Sequence, residues 1–365
     1  MRADIGGREA MAIAFFYGAA ETYLGMPREM VQGSGEAAWM SVALAGLVAV
    51  GAYYLVARLL LAFPRGGLVD ALQQGLGGGL GFCAAFALFA LFVFEAAVIT
   101  REVVGQIQQT VLPLTPVPIL AGSFLLAAGY AAMTGIEGLG RGAWFAMPWV
   151  FGSTLLLAVL SLEWAHLYNL LPLWGRGPLD VARVGLQRSG LLGDLVLVVV
   201  AFEVRPRRAV VAAGVRGYLL ATVLAVSAQI ALGLDFDRVA ISAQPYPLYQ
   251  LAKLIAYGRF FQRLESIFVF VWIVAALFRI ALDVYLASTV FARGAGLPRG
   301  ELLVPAVAAL VYGGAVSFPS WSSAYRLDGR LFQPWSWMLF VLALLLLGVA
   351  LLGQRARARA ARHGA

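Results

Sequence analysis

The chain has 365 residues, 61% of them hydrophobic and 13% charged, and carries a formal net charge of +8. Water-soluble domains have about a quarter of their residues charged, so this composition excludes a soluble enzyme and points to a chain whose solvent is lipid. The basic excess is almost all arginine, Lys253 being the only lysine. It sits at the ends of apolar runs, which excludes a nucleic-acid-binding arm.

A bilayer core of about 30 Å takes roughly 20 apolar residues in helical form. Ten such runs are present, at about 9–26, 37–63, 79–110, 117–134, 142–160, 189–204, 209–233, 260–292, 301–318 and 334–353. They lack the polar–apolar alternation of barrel strands, so the fold class expected is an all-α polytopic membrane protein. The first run carries Glu21 and leads into further spans, which reads as a retained helix rather than a cleaved signal peptide. Lone Cys83 rules out an internal disulfide.

Arginines crowd the side that holds both ends of the chain, among them Arg58, Arg65, Arg141, Arg205, Arg207, Arg208 and Arg293. The opposite loops are longer and more sparsely charged, which places both termini in the cytoplasm. The tail 354–365, with Arg355, Arg357, Arg359 and Arg362, reads as a segment lying against anionic lipid.

Span one is interrupted. Tyr17-Gly18-Ala19-Ala20-Glu21-Thr22-Tyr23-Leu24-Gly25-Met26-Pro27 puts glycines, a proline and a carboxylate into an apolar run. Span six opens in the corresponding way, with Ser189-Gly190-Leu191-Leu192-Gly193-Asp194-Leu195. Paired short segments broken by glycine or proline, one in each half, mark a transporter-type site at the bilayer midplane. An unwound turn frees backbone N–H and C=O groups that lipid cannot satisfy, so it persists only beside a polar cavity or ligand. The other reading is that these glycines only let helices pack closely. The same division gives two five-span repeats in one domain, about 9–160 and 189–353.

Between spans two and three, Leu68-Val69-Asp70-Ala71-Leu72 reads as a short interfacial helix. The glycines from Gly75 to Gly81 read as a hinge, because no strand precedes them to make a dinucleotide loop. The longest loops are 161–188 and 234–259, the second ending in an amphipathic stretch from Leu248 to Tyr257.

A charged side chain at the bilayer centre costs about 2.5–3.5 kcal/mol on insertion scales, so intramembrane charges are functional candidates. They are Glu21 in span one, Glu95, Arg101 and Glu102 in three, Asp194 in six, Arg216 in seven, and Arg279 with Asp283 in eight. Arg279 and Asp283 are one turn apart on one helix face and can pair with each other.

Glu95 reads as a protonatable group in a cavity, and Arg101 and Glu102 as ties between span three and its neighbours. Glu203, beside Arg205, Arg207 and Arg208, reads as an interfacial salt bridge of small value. Phe15, Phe16, Tyr17, Phe92, Phe94, Phe268 and Phe270 read as packing or lipid-facing groups. With histidine only at His166 and His363, and no Walker A, HExxH or CxxC motif, nothing marks a metal, a cofactor or an enzyme.

Several blocks fall in a telling order. Trp39 opens span two, Arg101-Glu102 sits in span three, and Leu112-Pro113-Leu114-Thr115-Pro116 follows. Asn169-Leu170-Leu171-Pro172, Gly193-Asp194 and Arg205-Pro206-Arg207-Arg208 come next. Then come Pro247-Leu248-Tyr249-Gln250-Leu251-Ala252-Lys253-Leu254-Ile255, Phe261-Gln262-Arg263-Leu264-Glu265-Ser266 and Trp272. Over nearly the whole chain this series resembles the permease-like B subunit of spore nutrient-germinant receptors.

The resemblance implies the amino acid–polyamine–organocation superfamily, with ten helices in a LeuT-like five-plus-five inverted repeat and broken helices one and six. It also implies a subunit in the spore inner membrane, working with an A subunit and a lipoprotein C subunit. Such a subunit binds a small nutrient, commonly an amino acid, and triggers germination. On that fold the ligand site falls at Gly18, Ala20, Glu21, Thr22, Val98, Gly193, Asp194, Phe278 and Arg279. The alternative to the Arg279–Asp283 pair, implied by the fold of the family this chain resembles, sets Arg279 opposite Glu21 across spans one and eight, both lining a pocket. An α-amino acid would then give its ammonium to Glu21 or Asp194, and its carboxylate to Arg279 or to half-helix N–H groups. Glu95, Arg101, Glu102 and Asp283 stand as proton-coupling or structural charges. The chain departs from the family with Ala20-Glu21-Thr22 in place of a glycine-rich turn, and with Gly193-Asp194 in place of Gly-Glu. A second class of function stays open: a free-standing amino acid transporter coupled to protons through Glu21, Glu95 or Asp194.

Overall fold

The computed structural model describes residues 5–63, 66–191, 196–255 and 264–327, with short pieces between 329 and 353. Gly193, Asp194, most of span ten and the arginine tail lie outside the described residues.

Span one is a broken helix. α1 (Gly7–Ala19) gives way to a 3-10 turn at Ala20–Tyr23, and the helix resumes as α2 (Met26–Ser34). Leu24 leaves helical space at φ −97°, ψ −143°. At Gly25 a side chain would strike the Tyr325 ring, so this close approach needs a residue with no Cβ. Pro27 sits in the first turn of α2, where no intrahelical donor is required. The helix stops at Gly35, whose φ of +69° is a conformation glycine takes without steric cost. Span one therefore runs past its expected end near residue 26. The polar face of α2, with Arg28, Glu29 and Gln32, hides it from a hydropathy reading.

α3 (Ala38–Leu60), α4 (Leu68–Leu76), α5 (Gly78–Thr110), α6 (Val117–Met133) and α7 (Gly135–Leu160) complete the first half. α4 is the short helix expected at 68–72; the Gly67 N–H donates to the Asp70 carboxylate at 2.7 Å and closes its first turn. Gly77, at φ +88°, turns the chain from α4 into α5, as a hinge should. α8 (Pro178–Gln187) lies inside the stretch expected to be loop.

Span six is described as a 3-10 turn at Ser189–Leu191 and a four-residue α9 (Val196–Val199), followed by turns at 200–203. It is not one rod from 189 to 204. α10 (Ala209–Asp235), α11 (Arg238–Ala243), α12 (Pro247–Leu254), α13 (Leu264–Gly294), α14 (Val304–Ser317) and α15 (Trp321–Leu327) follow.

Five described segments are long and apolar enough to cross a bilayer: Met26–Leu60, Gly78–Thr110, Gly135–Trp164, Ala209–Asp235 and Glu265–Gly294. A sixth appears if Glu301–Ser317 and Trp321–Leu327, bent by 107°, count as one span. The shortfall from ten has physical causes. Span one is interrupted, the described helix of span six has only four residues, α6 has only 17 residues, and span ten lies mostly outside the described residues.

Helices five spans apart pack on one another: α3 on α10, α5 on α13, α6 on α14 and α1 on α9. Partners separated by five crossings run in opposite directions, so this pairing is what a two-fold axis in the membrane plane produces. Small residues allow the approach. Gly46 of α3 lies against Thr222 of α10, and Gly217 of α10 against Ala14 of α1, the close backbone packing expected between membrane helices. α1 buries every residue from Ala12 to Ala19 and is the centre of the bundle. Leu126, Tyr130, Phe145 and Trp149 on α6 and α7 are exposed, an apolar rim suited to lipid.

Candidate functional site

The charges of spans one, three and eight converge where α1 ends. Arg279 of α13 is only 1% exposed. Its Nε donates to Asp283 Oδ2 at 3.1 Å and its Nη1 to the Tyr17 carbonyl at 2.7 Å. Nη2 pairs with Glu95 of α5. The guanidinium lies over the Tyr17 ring, 3.6 Å from its centroid. The Tyr17 hydroxyl donates to Asp283 Oδ1 at 2.6 Å, with Glu95 Oε2 at 3.4 Å.

The backbone explains why a cation sits here. The last four carbonyls of a helix have no partner within it, and the C-terminal end carries a partial negative charge. Tyr17 is among those four in α1. A planar guanidinium serves several acceptors at once and also stacks on an aromatic face, which a compact ammonium does less well.

One guanidinium thus faces two carboxylates, and Glu21 on the 3-10 turn is close enough to act on Arg279 electrostatically. The two acids differ in access. Asp283 is fully buried, whereas the Glu95 side chain keeps 17% exposure. Asp283 is thus sealed against Arg279, while Glu95 is the less buried of the two acids. A surplus of buried negative charge calls for a positive group or a proton.

Of the two expected pairings for Arg279, the one-turn pair with Asp283 is present. Its second carboxylate, Glu95, is 184 positions away and was not anticipated as a partner. Tyr17 also has a different role from the packing or lipid-facing one expected, since its ring, hydroxyl and carbonyl all engage the charges. Its position one turn before Glu21, at the start of an interrupted segment, is the signal that could have identified it. Phe15, Phe16, Phe92 and Phe268 are buried, and Phe270 is exposed.

Around the break Gly18, Ala20 and Thr22 are buried, and Thr22 Oγ1 has no hydrogen-bond partner among the described residues. Val98 is buried one turn along α5 from Glu95. Phe278 packs on Phe16, with ring centroids 4.7 Å apart, and reaches Gly142 of α7. Gly193 and Asp194, the span-six members of the expected set, lie outside the described residues. Arg216 is exposed on the outer surface of α10, where a long side chain can reach the interface.

Arg101 and Glu102 lie further along α5, 6% and 5% exposed. Arg101 Nε approaches the Phe318 carbonyl, just past α14, at 3.5 Å, while its Nη1 has no partner among the described residues. The Tyr246 hydroxyl donates to the Glu102 carbonyl at 3.4 Å. Burial, and then the nearby Glu102 charge, push that hydroxyl well up from its ordinary pKa, so it stays a neutral donor.

Contacts tie the helices together at both ends of the bundle. On the N-terminal side Ile5 and Val204 form a parallel bridge, with Ile5 N–H on Glu203 O and Arg205 N–H on Ile5 O, each at 2.8 Å. The Glu203 carboxylate accepts from the Tyr285 hydroxyl at 2.9 Å, and Arg293 pairs with Asp70 at 2.6 Å. Arg207 reaches the carbonyls of Leu60 at 3.2 Å, Gly66 at 2.9 Å, and Phe63. At the other end Glu29 pairs with Arg188, Arg28 donates to Ser242 O at 3.0 Å, and Glu36 meets Arg238 at 3.7 Å. An open cleft of about 510 Å³, lined by Gln32, Arg176, Arg238 and Ser242 among others, lies beside those contacts.

Known proteins share this organisation. Residues 8–312 match the spore permease family, described as spore germination protein. Spore germination protein YndE of Bacillus subtilis (strain 168) is 24% identical over 285 residues, 77% of this chain and 78% of that protein. Mhp1, a nucleobase-cation-symport-1 family transporter solved in a closed conformation with bromovinylhydantoin bound, superposes with a TM-score of 0.61 at 14% identity. The match covers 89% of this chain and 74% of that one. MhsT, solved in complex with L-phenylalanine, gives 0.61 at 15% identity over 94% of this chain and 98% of its own. These structures show the LeuT-like fold that the sequence resemblance implied. The family and these neighbours are permeases and transporters rather than enzymes. The chain belongs to the spore germination permease family of polytopic membrane proteins.

Proposed function

We propose that this chain is the membrane-embedded permease subunit of a spore germinant receptor, and that it binds a small nutrient beside the α1 break. The observation that carries this reading is the charge imbalance there: one sealed guanidinium against Asp283 and Glu95, with Glu95 still accessible. An α-amino acid suits it. Its ammonium would pair with Glu95, and its carboxylate would take the N–H groups where the helix resumes at Met26, since three Arg279 donors are already engaged. The L-phenylalanine bound to MhsT, a protein of the same fold, supports that ligand class.

Binding would favour one of two packings of the bundle, loosening the contacts at one end and holding those at the other. In this reading A and C subunits of the receptor receive the change, and the protein lies in the spore inner membrane. The N-terminus would be cytoplasmic, a reading supported by Ile5 sharing its end of the bundle with Arg205, Arg207 and Arg293, and an even number of spans would put the C-terminus on the same side. Spores lacking this chain should lose their response to one nutrient and regain it on complementation. Unchanged germination with every nutrient that normally triggers these spores would remove the proposal.

The same surplus of carboxylates favours a second reading, a proton-coupled amino acid transporter. Uptake of labelled amino acid into proteoliposomes, collapsing with the proton gradient, would decide for it.

A further inference from the structure

The fold neighbours include a cation symporter, so the fold raises the question of a coupling metal ion. In helices broken within a membrane, freed carbonyls and half-helix C-termini are the places where such an ion binds. The residues at the α1 break do not fit one. The Tyr17 carbonyl already accepts from Arg279 at 2.7 Å, and the guanidinium covers the Tyr17 ring at 3.6 Å. Among the described residues no set of three ligating His, Cys, Asp or Glu side chains is placed to hold a metal.

The geometry points to Arg279 as a resident cation that takes the place of a coupling metal ion, so that the site works without sodium. The device recurs in this chain. Arg101 approaches the Phe318 carbonyl where α14 ends, and Arg207 covers the Leu60 carbonyl where α3 ends. In each case an arginine from a distant helix or loop meets the partial negative charge of a helix C-terminus. Of the three, only Arg279 also contacts two carboxylates among the described residues, Asp283 of its own helix and Glu95 of α5. Those contacts fix it in place, with its positive charge at the helix end where a coupling metal ion would otherwise bind. The inference concerns the ion requirement of the site and stands whether or not the nutrient reading holds.

Thermal unfolding of the full chain in detergent micelles tests it, in sodium, potassium and choline chloride at matched ionic strength. The wild-type midpoint should be the same in all three. Arg279→Ala should unfold at a lower temperature and recover at least half of that loss with methylguanidinium, in a saturating dose dependence. Arg279→Lys, the second variant, should fold and remain indifferent to sodium. A wild-type protein stabilised by sodium over choline would overturn the inference. So would an Arg279→Ala protein that folds but gains nothing from methylguanidinium, or an Arg279→Lys protein as unstable as the alanine variant.

Discussion

Arg279 and Arg101 are both buried arginines inside the membrane-spanning bundle, and both reach a carbonyl at the end of a helix, yet they are held very differently. Arg279 has two carboxylates, a backbone carbonyl at 2.7 Å and an aromatic face. Among the described residues Arg101 has one long contact of 3.5 Å and an Nη1 without a partner. Burial of a charge is offset only by close, well-directed partners. Arg279 is therefore built into the fold, while Arg101 contributes little to it and is open to other partners.

Substitution of each arginine by methionine, followed by denaturant unfolding in micelles, can break this contrast. Arg279→Met should have the largest effect, a loss of about 3–5 kcal/mol, because it leaves buried carboxylates without their cation. Asp283→Asn should cost about 1.5–3 kcal/mol, the range for a hydrogen bond to a charged group, since Glu95 still holds the guanidinium. Tyr17→Phe removes one hydroxyl but keeps the ring under Arg279, and should cost about 0.5–1.5 kcal/mol. Arg101→Met should be close to neutral, because an apolar side chain of similar volume relieves an unsatisfied buried donor. A loss for Arg101→Met equal to that for Arg279→Met would show the two arginines to be equivalent after all. Near-additive losses in the Tyr17→Phe, Asp283→Asn double variant would separate groups that the 2.6 Å contact joins.

The sequence shows the long helices better than the broken ones. Spans three, four and seven fall within a residue or two of α5, α6 and α10, because a continuous apolar run has only one stable form in lipid. The break in span one is legible from Glu21, Gly25 and Pro27, but α2 is not, since its polar face resembles a loop. α8 is hidden in the same way, although Pro178 supplies a helix-start signal. α15 follows Ser317-Phe318-Pro319-Ser320 and is too short for a hydropathy window.

Within the site, the Arg279–Asp283 pair is written in the one-turn spacing. The Glu95–Arg279 pair is not, because only tertiary packing of α5 on α13 brings residues 184 apart together. Tyr17 was obscured by its neighbours: in a run of phenylalanines its ring suggests packing, and only the helix break gives its hydroxyl and carbonyl work.

The germination dose response of spores carrying Glu95→Gln tests most directly whether this acid–arginine cluster recognises the nutrient. Loss of a charge-assisted bond worth about 1.5–3 kcal/mol should raise the half-maximal nutrient concentration at least about tenfold, with the protein present at its normal level. An unchanged dose response at that level would contradict nutrient recognition by Glu95 at the α1 break.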